Sequence, residues 1–257
     1  MPIRKYNVIK NFFNAWSEKM AYCLGFATAD GNVYRYTLRF EIQKRDKKVL
    51  EFIKNCICPT AKIKLTKNKK YVRLSINSVD LINSLKKFNV IPNKSRKVKI
   101  DFNIPQNYFG DYLRGVFDGD GWVYYRRKEI CCGICSASYS FLFSLREKSG
   151  KIGRLRSRYK KGYKLPLYYW EMDKFHSIQL AKLMYKKDCS SLKRKKDKFV
   201  NYKFTPSKRF WTVDQLKYLR ENYIPGRKGN YKVIAKVIKK TYRSVSKKIW
   251  ELGLTKS

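Results

Sequence analysis

Apolar residues recur at helical spacing in "EKMAYCLGFATAD" (18–30) and again in "DYLRGVFDGD" (111–120), and each stretch predicts a helix. The segments between them alternate instead. In "YTLRFEIQ" (36–43), Leu38, Phe40 and Ile42 alternate with Arg39, Glu41 and Gln43, which predicts a half-buried strand with one polar face. "KIKL" (62–65) and "RLRSR" (154–158) repeat the alternation, with Lys62, Lys64, Arg154, Arg156 and Arg158 outward. "FEIQKRDKKVLEFI" (40–53) aligns with "CGICSASYSFLFSL" (132–145), matching Ile42 to Ile134, Val49 to Phe141, Leu50 to Leu142 and Ile53 to Leu145. "YVRLSI" (71–76) resembles "YYWEMD" (168–173). Each half of this stretch therefore reads as helix, strands, helix, strands, helix.

The two helical segments carry a second repeat. Both "YCLGFATADG" (22–31) and "YLRGVFDGDG" (112–121) are apolar runs ending in Asp-Gly, with Asp30 and Asp120 lying 90 residues apart. Two copies of one unit in a chain predict pseudo-twofold packing, as in a fused dimer, with the repeated helices as the contact. Gly25 and Gly115 fall inside those helices, where glycine costs about 1 kcal/mol, and close approach of two backbones supplies a reason. Gly31 and Gly121 are expected to stop the helices as residues just past the end. A carboxylate at a helix C-terminus is electrostatically misplaced. Two that converge, with Asp118 adding a third charge, call for a bound cation. Oxygen ligands at a phosphate-binding surface point to Mg²⁺ and metal-assisted phosphodiester hydrolysis.

Charge sharpens this picture. The 257 residues include 60 Lys+Arg against 19 Asp+Glu, a formal net charge of +41, and 16% are aromatic. A polyanion is the expected partner, and nucleic acid suits both the charge and the interleaved rings. This reading extends to the basic runs Lys67–Lys70 and Lys193–Lys196, which alone would be solvated surface. No run of about 18 apolar residues marks a membrane span, and the first residues lack the apolar core of a secretion signal. Of the seven cysteines, Cys56 and Cys58 and the group Cys131, Cys132 and Cys135 sit in apolar strand-like stretches, and the single histidine is His176. They read as reduced core thiols rather than a metal site, in an intracellular compartment that holds the genome.

The doubled motif resembles that of the LAGLIDADG homing endonucleases in their single-chain, two-motif form. "LRGVFDGDG" (113–121) keeps Leu113, Gly115, Asp118, Asp120 and Gly121 of the signature; "CLGFATADG" (23–31) keeps Gly25, Ala29, Asp30 and Gly31 but has Cys23 and Thr28 where the signature has Leu and Asp. The resemblance covers about residues 15–200. It implies an α+β fold of two αββαββα halves whose sheets form saddles on DNA, here 1–104 and 105–200. It implies that Asp30 and Asp120, with the Ala29 and Gly119 backbones nearby, hold two or three Mg²⁺ ions shared with DNA phosphates. Gln43 and Lys44 resemble the family's polar strand end beside the active site, and the second half is expected to have Cys135 and Ser136 there. No His or Glu is placed as a general base, and metal-bound water takes that role. The expected DNA contacts are Asn32, Tyr34, Arg35, Arg39, Glu41, Lys62, Lys64 and Arg73 in the first half. In the second they are Trp122, Tyr124, Arg126, Arg127, Arg154, Arg156 and Arg158. A strand face of this kind also suits an edge protected from aggregation.

After a basic linker at 201–210, residues 211–257 read as three short helices. Thr212 and Gln215 form a capping box, Tyr231–Ile238 is the second helix with Val233, Ile234 and Val237 apolar, and "YRSVSKKIWELGL" (242–254) is the third. Trp211 and Trp250 are expected to fill the small core. Val245, Ile249 and Leu252 point inward, leaving Arg243, Ser244, Ser246, Lys247 and Lys248 outward. This module resembles a Myb/SANT-like helix-turn-helix; a helical cap on the main domain is the other reading.

The function expected is site-specific, Mg²⁺-dependent cleavage of double-stranded DNA, with a staggered double-strand break or a nick, by a monomeric, intron-encoded enzyme. A non-catalytic DNA-binding regulator on the same scaffold and an RNA-binding intron maturase are the competing readings.

Overall fold

The computed structural model describes residues 7–159, 162, 164–203, 211, 213–227 and 229–254. Two compact units are present, Met1–Tyr202 and Lys203–Ser257.

The first unit repeats one motif. Helix α1 (Glu18–Asp30), strands β1 (Asn32–Tyr34) and β2 (Thr37–Gln43), helix α2 (Lys47–Ile57), strands β3 (Ile63–Leu65) and β4 (Tyr71–Asn77) and helix α3 (Val79–Lys86) make the first copy. Helix α4 (Gln106–Asp120), strands β5 (Gly121–Arg126) and β6 (Glu129–Ser136), helix α5 (Tyr139–Lys148), strands β7 (Arg154–Arg158) and β8 (Leu167–Met172) and helix α6 (Lys174–Met184) make the second. This is the expected duplicated α+β, αββαββα arrangement. A further helix, α7 (Lys193–Val200), follows and was not foreseen. The sheets are antiparallel, in the orders β1-β2-β4-β3 and β5-β6-β8-β7.

Local chemistry starts the helices. Ser17, Ser78, Ser138 and Asp173 each accept the N–H three residues on, from Met20, Leu81, Phe141 and His176. Helices α1 and α4 are the center of the core: every residue from Met20 to Thr28 and from Tyr112 to Asp118 is buried. A helix apolar on all sides can only be an interior element. Along β2 the alternation is as read, with Leu38, Phe40 and Ile42 inward.

Strand register corrects the sequence alignment. Asn32 pairs with Arg39 and Trp122 with Gly133, so Phe40 corresponds to Ile134 and Ile42 to Ser136. The match drawn from sequence lies two residues off. Because the side-chain period is two, that slip keeps the same face inward and leaves the apolar matches intact. A longer β5–β6 hairpin introduces the offset. The 3-10 turn Lys44–Asp46, which has no counterpart in the second half, brings α2 and α5 partly back into step, with Val49, Leu50 and Ile53 and their matches Phe141, Leu142 and Leu145 all buried. Leu74 pairs with Phe40 as Trp170 pairs with Ile134, so the β4 and β8 match also shifts, by one residue. The seven cysteines are all free thiols, and Cys56 lies in helix α2 rather than a strand.

The second unit holds helices α8 (Val213–Asn222), α9 (Asn230–Val237) and α10 (Tyr242–Glu251) around Leu219, Ile234, Ala235, Ile238, Val245 and Ile249. Trp211 packs on this core, but Trp250 is 74% exposed, contrary to expectation. It follows Ile249 by one position, about 100° around the helix, so the two cannot both face inward. Val233 and Val237 are likewise exposed, because α9 buries Ile234, Ala235 and Ile238 instead. Gln215 Nε2 donates to the Ile238 carbonyl at 2.9 Å; Thr212 and most of the linker, 204–210, lie outside the described residues. No helix among the described residues is long and apolar enough to cross a membrane.

Candidate active site

Helices α1 and α4 touch backbone to backbone. A Cβ on Gly25 would lie 2.0 Å from the Tyr112 carbonyl oxygen, and one on Gly115 2.2 Å from that of Tyr22. Only glycine permits this approach, as the sequence led us to expect. One residue before the end, a Cβ on Gly119 would lie 2.4 Å from Cβ of Ala29, so the helices still converge where they stop. Gly31 and Gly121 stop the helices just past their ends, as expected, and do so in extended conformation, at φ −70° and −84°. Each helix runs straight into its first strand, and the need for glycine is spatial: a Cβ would meet the Ala27 or Phe117 carbonyl oxygen at 2.4 Å.

This convergence brings Asp30 and Asp120 together. Both side chains open to solvent, and neither carboxylate accepts a hydrogen bond among the described residues. Protein crowds them from behind, and the lost hydration raises both carboxyls; the Asp30 charge helps to push Asp120 up to about 7. Lys195, Lys94 and Arg194 draw Asp30 back down. Two accessible oxygen donors with mutual repulsion and no internal partner fit a hard divalent cation. Among the described residues no third His, Cys, Asp or Glu joins them, so other ligands would come from solvent or substrate. The single histidine, His176, instead pairs with Asp173, Nδ1 to Oδ1 at 2.9 Å.

Two buried lysines flank the pair, and sequence reasoning missed both. Lys94 Nζ donates to the carbonyls of Ala29 at 3.1 Å and Gly31 at 2.5 Å, and Lys195 Nζ to those of Phe117 and Asp118 at 2.7 Å each. They satisfy carbonyls left over at the two helix ends and place positive charge where the helix dipoles are negative. Burial lowers both ammonium groups, Lys195 to about 8, against the pull of nearby carboxylates. Arg194, beside Lys195 on α7, grips the buried Asp46 of the first half with Nε at 3.1 and 3.0 Å and Nη2 at 3.0 Å. The run 193–196, read as DNA-facing charge, is therefore partly a structural clamp. No periodicity distinguishes Lys94 or Lys195 from the other lysines of the chain.

Asp118 does not join the site. It is buried, and its Oδ2 accepts from the Tyr22 hydroxyl and the Leu192 N–H, both at 2.8 Å. Burial raises its carboxyl to about 6. The same position in the first motif is Thr28, which receives the Tyr112 hydroxyl at 3.3 Å. Each helix thus sends a tyrosine across to the residue two before the other's terminal Asp. The departure from the signature at Thr28 falls in this latch.

Gln43 ends β2, exposed and opposite Tyr71, and Lys44 is exposed with its N–H bonded to the Lys70 carbonyl at 2.9 Å. By register the residue matching Gln43 is Ala137, and Ser136, matching Ile42, is buried, which corrects the expected Cys135 and Ser136. A cleft of about 250 Å³ opens beside Asp120, lined by Thr28, Lys94, Ser95, Cys135 and Ser136 among others.

No family model and no curated protein matches this chain. Among solved structures it resembles that of the LAGLIDADG homing endonuclease I-GzeII in complex with its DNA target, at 16% identity and TM-score 0.51, over 87% of this chain and 97% of that one. The chain has the LAGLIDADG fold. Also found were I-SmaMI bound to uncleaved DNA in the presence of calcium ions (13%, TM-score 0.49, 73% and 90% covered) and full-length DUF199/WhiA from Thermatoga maritima (13%, TM-score 0.44, 94% and 93% covered), both too distant to carry an argument.

The LAGLIDADG helices each lead into a sheet with one open face. On the first, Asn32, Tyr34, Arg39, Glu41, Lys64 and Arg73 are exposed, with Lys62 just before β3, and Arg73 Nη2 pairs with Glu41 at 2.7 Å. On the second lie Trp122, Tyr124, Arg126, Arg154, Arg156 and Arg158. Arg35 and Arg127 occupy the two hairpin turns at φ 49° and 48°, an unusual conformation for arginine. In the second unit, Arg243 and Lys247 are exposed and Ser244 and Lys248 half-buried on α10.

Proposed function

We propose that the protein is a site-specific DNA endonuclease. One observation carries this reading: two solvent-open carboxylates without internal partners, brought together at the ends of the paired LAGLIDADG helices. Asp30 and Asp120 would hold Mg²⁺, which when bound supplies activated water and stabilizes the departing oxyanion. The helix pair fixes the spacing of the two carboxylates, and the latches from Tyr22 and Tyr112 keep it. Lys94 and Lys195 hold the helix-end carbonyls and lend positive charge toward the scissile phosphates. The sheet faces, with a chain carrying net +41, would grip the duplex on either side. The structure of I-GzeII in complex with its DNA target supports DNA as the partner, and we take that DNA to be double-stranded. We further propose that the second unit is a Myb/SANT-like helix-turn-helix whose α10 lays Arg243 and Lys247 in a DNA groove. The enzyme would act as a monomer, with the genome, encoded in an intron.

A second reading has a specific observation behind it. Lys94 and Lys195 already offset the two carboxylates, so the same scaffold would remain folded as a metal-free DNA-binding regulator. Incubating the protein with a randomized duplex library in Mg²⁺ and in Ca²⁺, then sequencing the ends, separates the two. Defined cuts in Mg²⁺ that vanish in Asp30→Asn and Asp120→Asn support the nuclease. Specific binding without cuts in either metal supports the regulator, and preference for intron RNA over duplex would point to a maturase.

A further inference from the structure

The two sheets present different chemistry on their open faces. On the first sheet, hydrogen-bonding groups dominate. Arg39 stands opposite Asn32 and Ser75, and Gln43 and Asn77 lie at the ends of their strands. Arg39 has no ion pair among the described residues, so its guanidinium is available as a donor fork.

The second sheet carries its arginines, Arg126, Arg154, Arg156 and Arg158, on the outer strands β5 and β7, and the contrast lies in its middle. The inner strand β6 offers Cys131, Gly133 and Cys135 outward, three positions with no strong donor or acceptor. Trp122 lies flat across Gly133, where a Cβ would meet the indole Cζ2 at 2.4 Å, and Tyr124 packs against it with centroids 5.4 Å apart. Two of its arginines are engaged: Arg156 Nε lies 3.2 Å from Glu171, and Arg158 pairs with the same carboxylate while sitting 4.8 Å from the Tyr169 ring. Ring faces and thiols are poor readers of donor and acceptor patterns. What they can recognize in a major groove is the thymine C5-methyl group.

We propose that the target is chemically lopsided. The half beneath the first sheet is read through base-edge hydrogen bonds, and the half beneath the second through thymine methyls packed against Trp122, Tyr124, Cys131 and Cys135. This rests on the DNA-binding reading above and adds which base chemistry each half of the target carries.

The test starts from the site selected out of the duplex library. Arg39→Ala, which relaxes selection only in the half it reads, assigns the halves. Uracil is then placed for thymine in one half at a time, removing only the methyl group, and affinity is measured in Ca²⁺. The expected result is a loss of roughly fourfold per contacted thymine in the second-sheet half, from one buried methyl each, and no loss in the other. Cys131→Ser and Cys135→Ser, at half-buried positions, should shrink that discrimination while leaving the first half's selection unchanged. A specific complex that tolerates uracil equally in both halves, or loses equally in both, overturns this inference alone. A protein that selects no duplex overturns the DNA-binding reading as well.

Discussion

Replacing Gly115 with Ala tests the helix junction on which the site depends. In an unconstrained helix interior this change stabilizes by about 1 kcal/mol. Here the new Cβ would lie 2.2 Å from the Tyr22 carbonyl oxygen and 2.7 Å from the Phe26 nitrogen, both backbone atoms that no rotamer change can move. Restoring an ordinary contact requires the helices to part by about 1 Å. Overpacking of this kind costs about 1–3 kcal/mol, and a backbone collision belongs at the upper end. Against the propensity gain, a net loss of about 2 kcal/mol remains, which for a unit of this size lowers Tm by about 4–8 °C. Urea and thermal unfolding of the full chain measure it. Gly25→Ala meets the Tyr112 carbonyl across the same junction at 2.0 Å, so the double variant should lose less than the sum of the two, because helices already parted have room for the second methyl. Cleavage should fall more than DNA binding, since Asp30 and Asp120 move apart with the helices. Gly115→Ala at or above wild-type stability would refute the reasoning.

Further predictions follow from single features. Asp118, pushed up to about 6 against an ordinary 3.8, holds its proton longer folded than unfolded, so its contribution is greatest below pH 4 and is lost as pH rises through 6. The stability of wild type relative to Asp118→Asn should therefore fall across pH 4–7, by about 3 kcal/mol at most, in paired urea titrations; a flat difference would count against burial as the cause. Exchanging Arg127-Lys128, at φ 48° and 66°, for Asn-Gly should relieve the turn by about 1 kcal/mol, while the slope of log K against log salt flattens by up to about 2 if both cations meet phosphates. Trp250→Ala should change stability by under about 0.5 kcal/mol, whereas Ile249→Ala, at 3% exposure, should cost about 2 kcal/mol or more; hydrogen exchange along α10 distinguishes them.

The repeated motif made the fold and the acidic pair legible, because both rest on short-range signals. A glycine inside an apolar helix announces a close approach, and alternation announces a sheet face. Tertiary partners were harder to see. Lys94 and Lys195 look like any surface lysine until the helix ends they serve are in place. Asp118 resembles its neighbor Asp120 in sequence, yet two residues along a helix is about 200°, which turns one into the core and leaves the other in solvent. The strand offsets escaped notice for a simpler reason. The two-residue shift between β2 and β6 preserves the alternating pattern, so apolar matches alone could not reveal it, while "YYWEMD" is apolar or aromatic at successive positions and gives no alternation to betray the one-residue shift of β8.

Helix α7 also bears on how the chain is made. Arg194 and Lys195 close contacts to Asp46 in the first half and to the end of α4 in the second, so these contacts form only after both halves of the first unit have been made. Until α4 emerges, α1 lacks the partner for one whole flank, and the apolar surface it shows then is what holdase chaperones bind. Synthesis rate through the stretch between the motifs then becomes a determinant of yield, and a pause there should favor aggregation, whereas one after residue 200 should not.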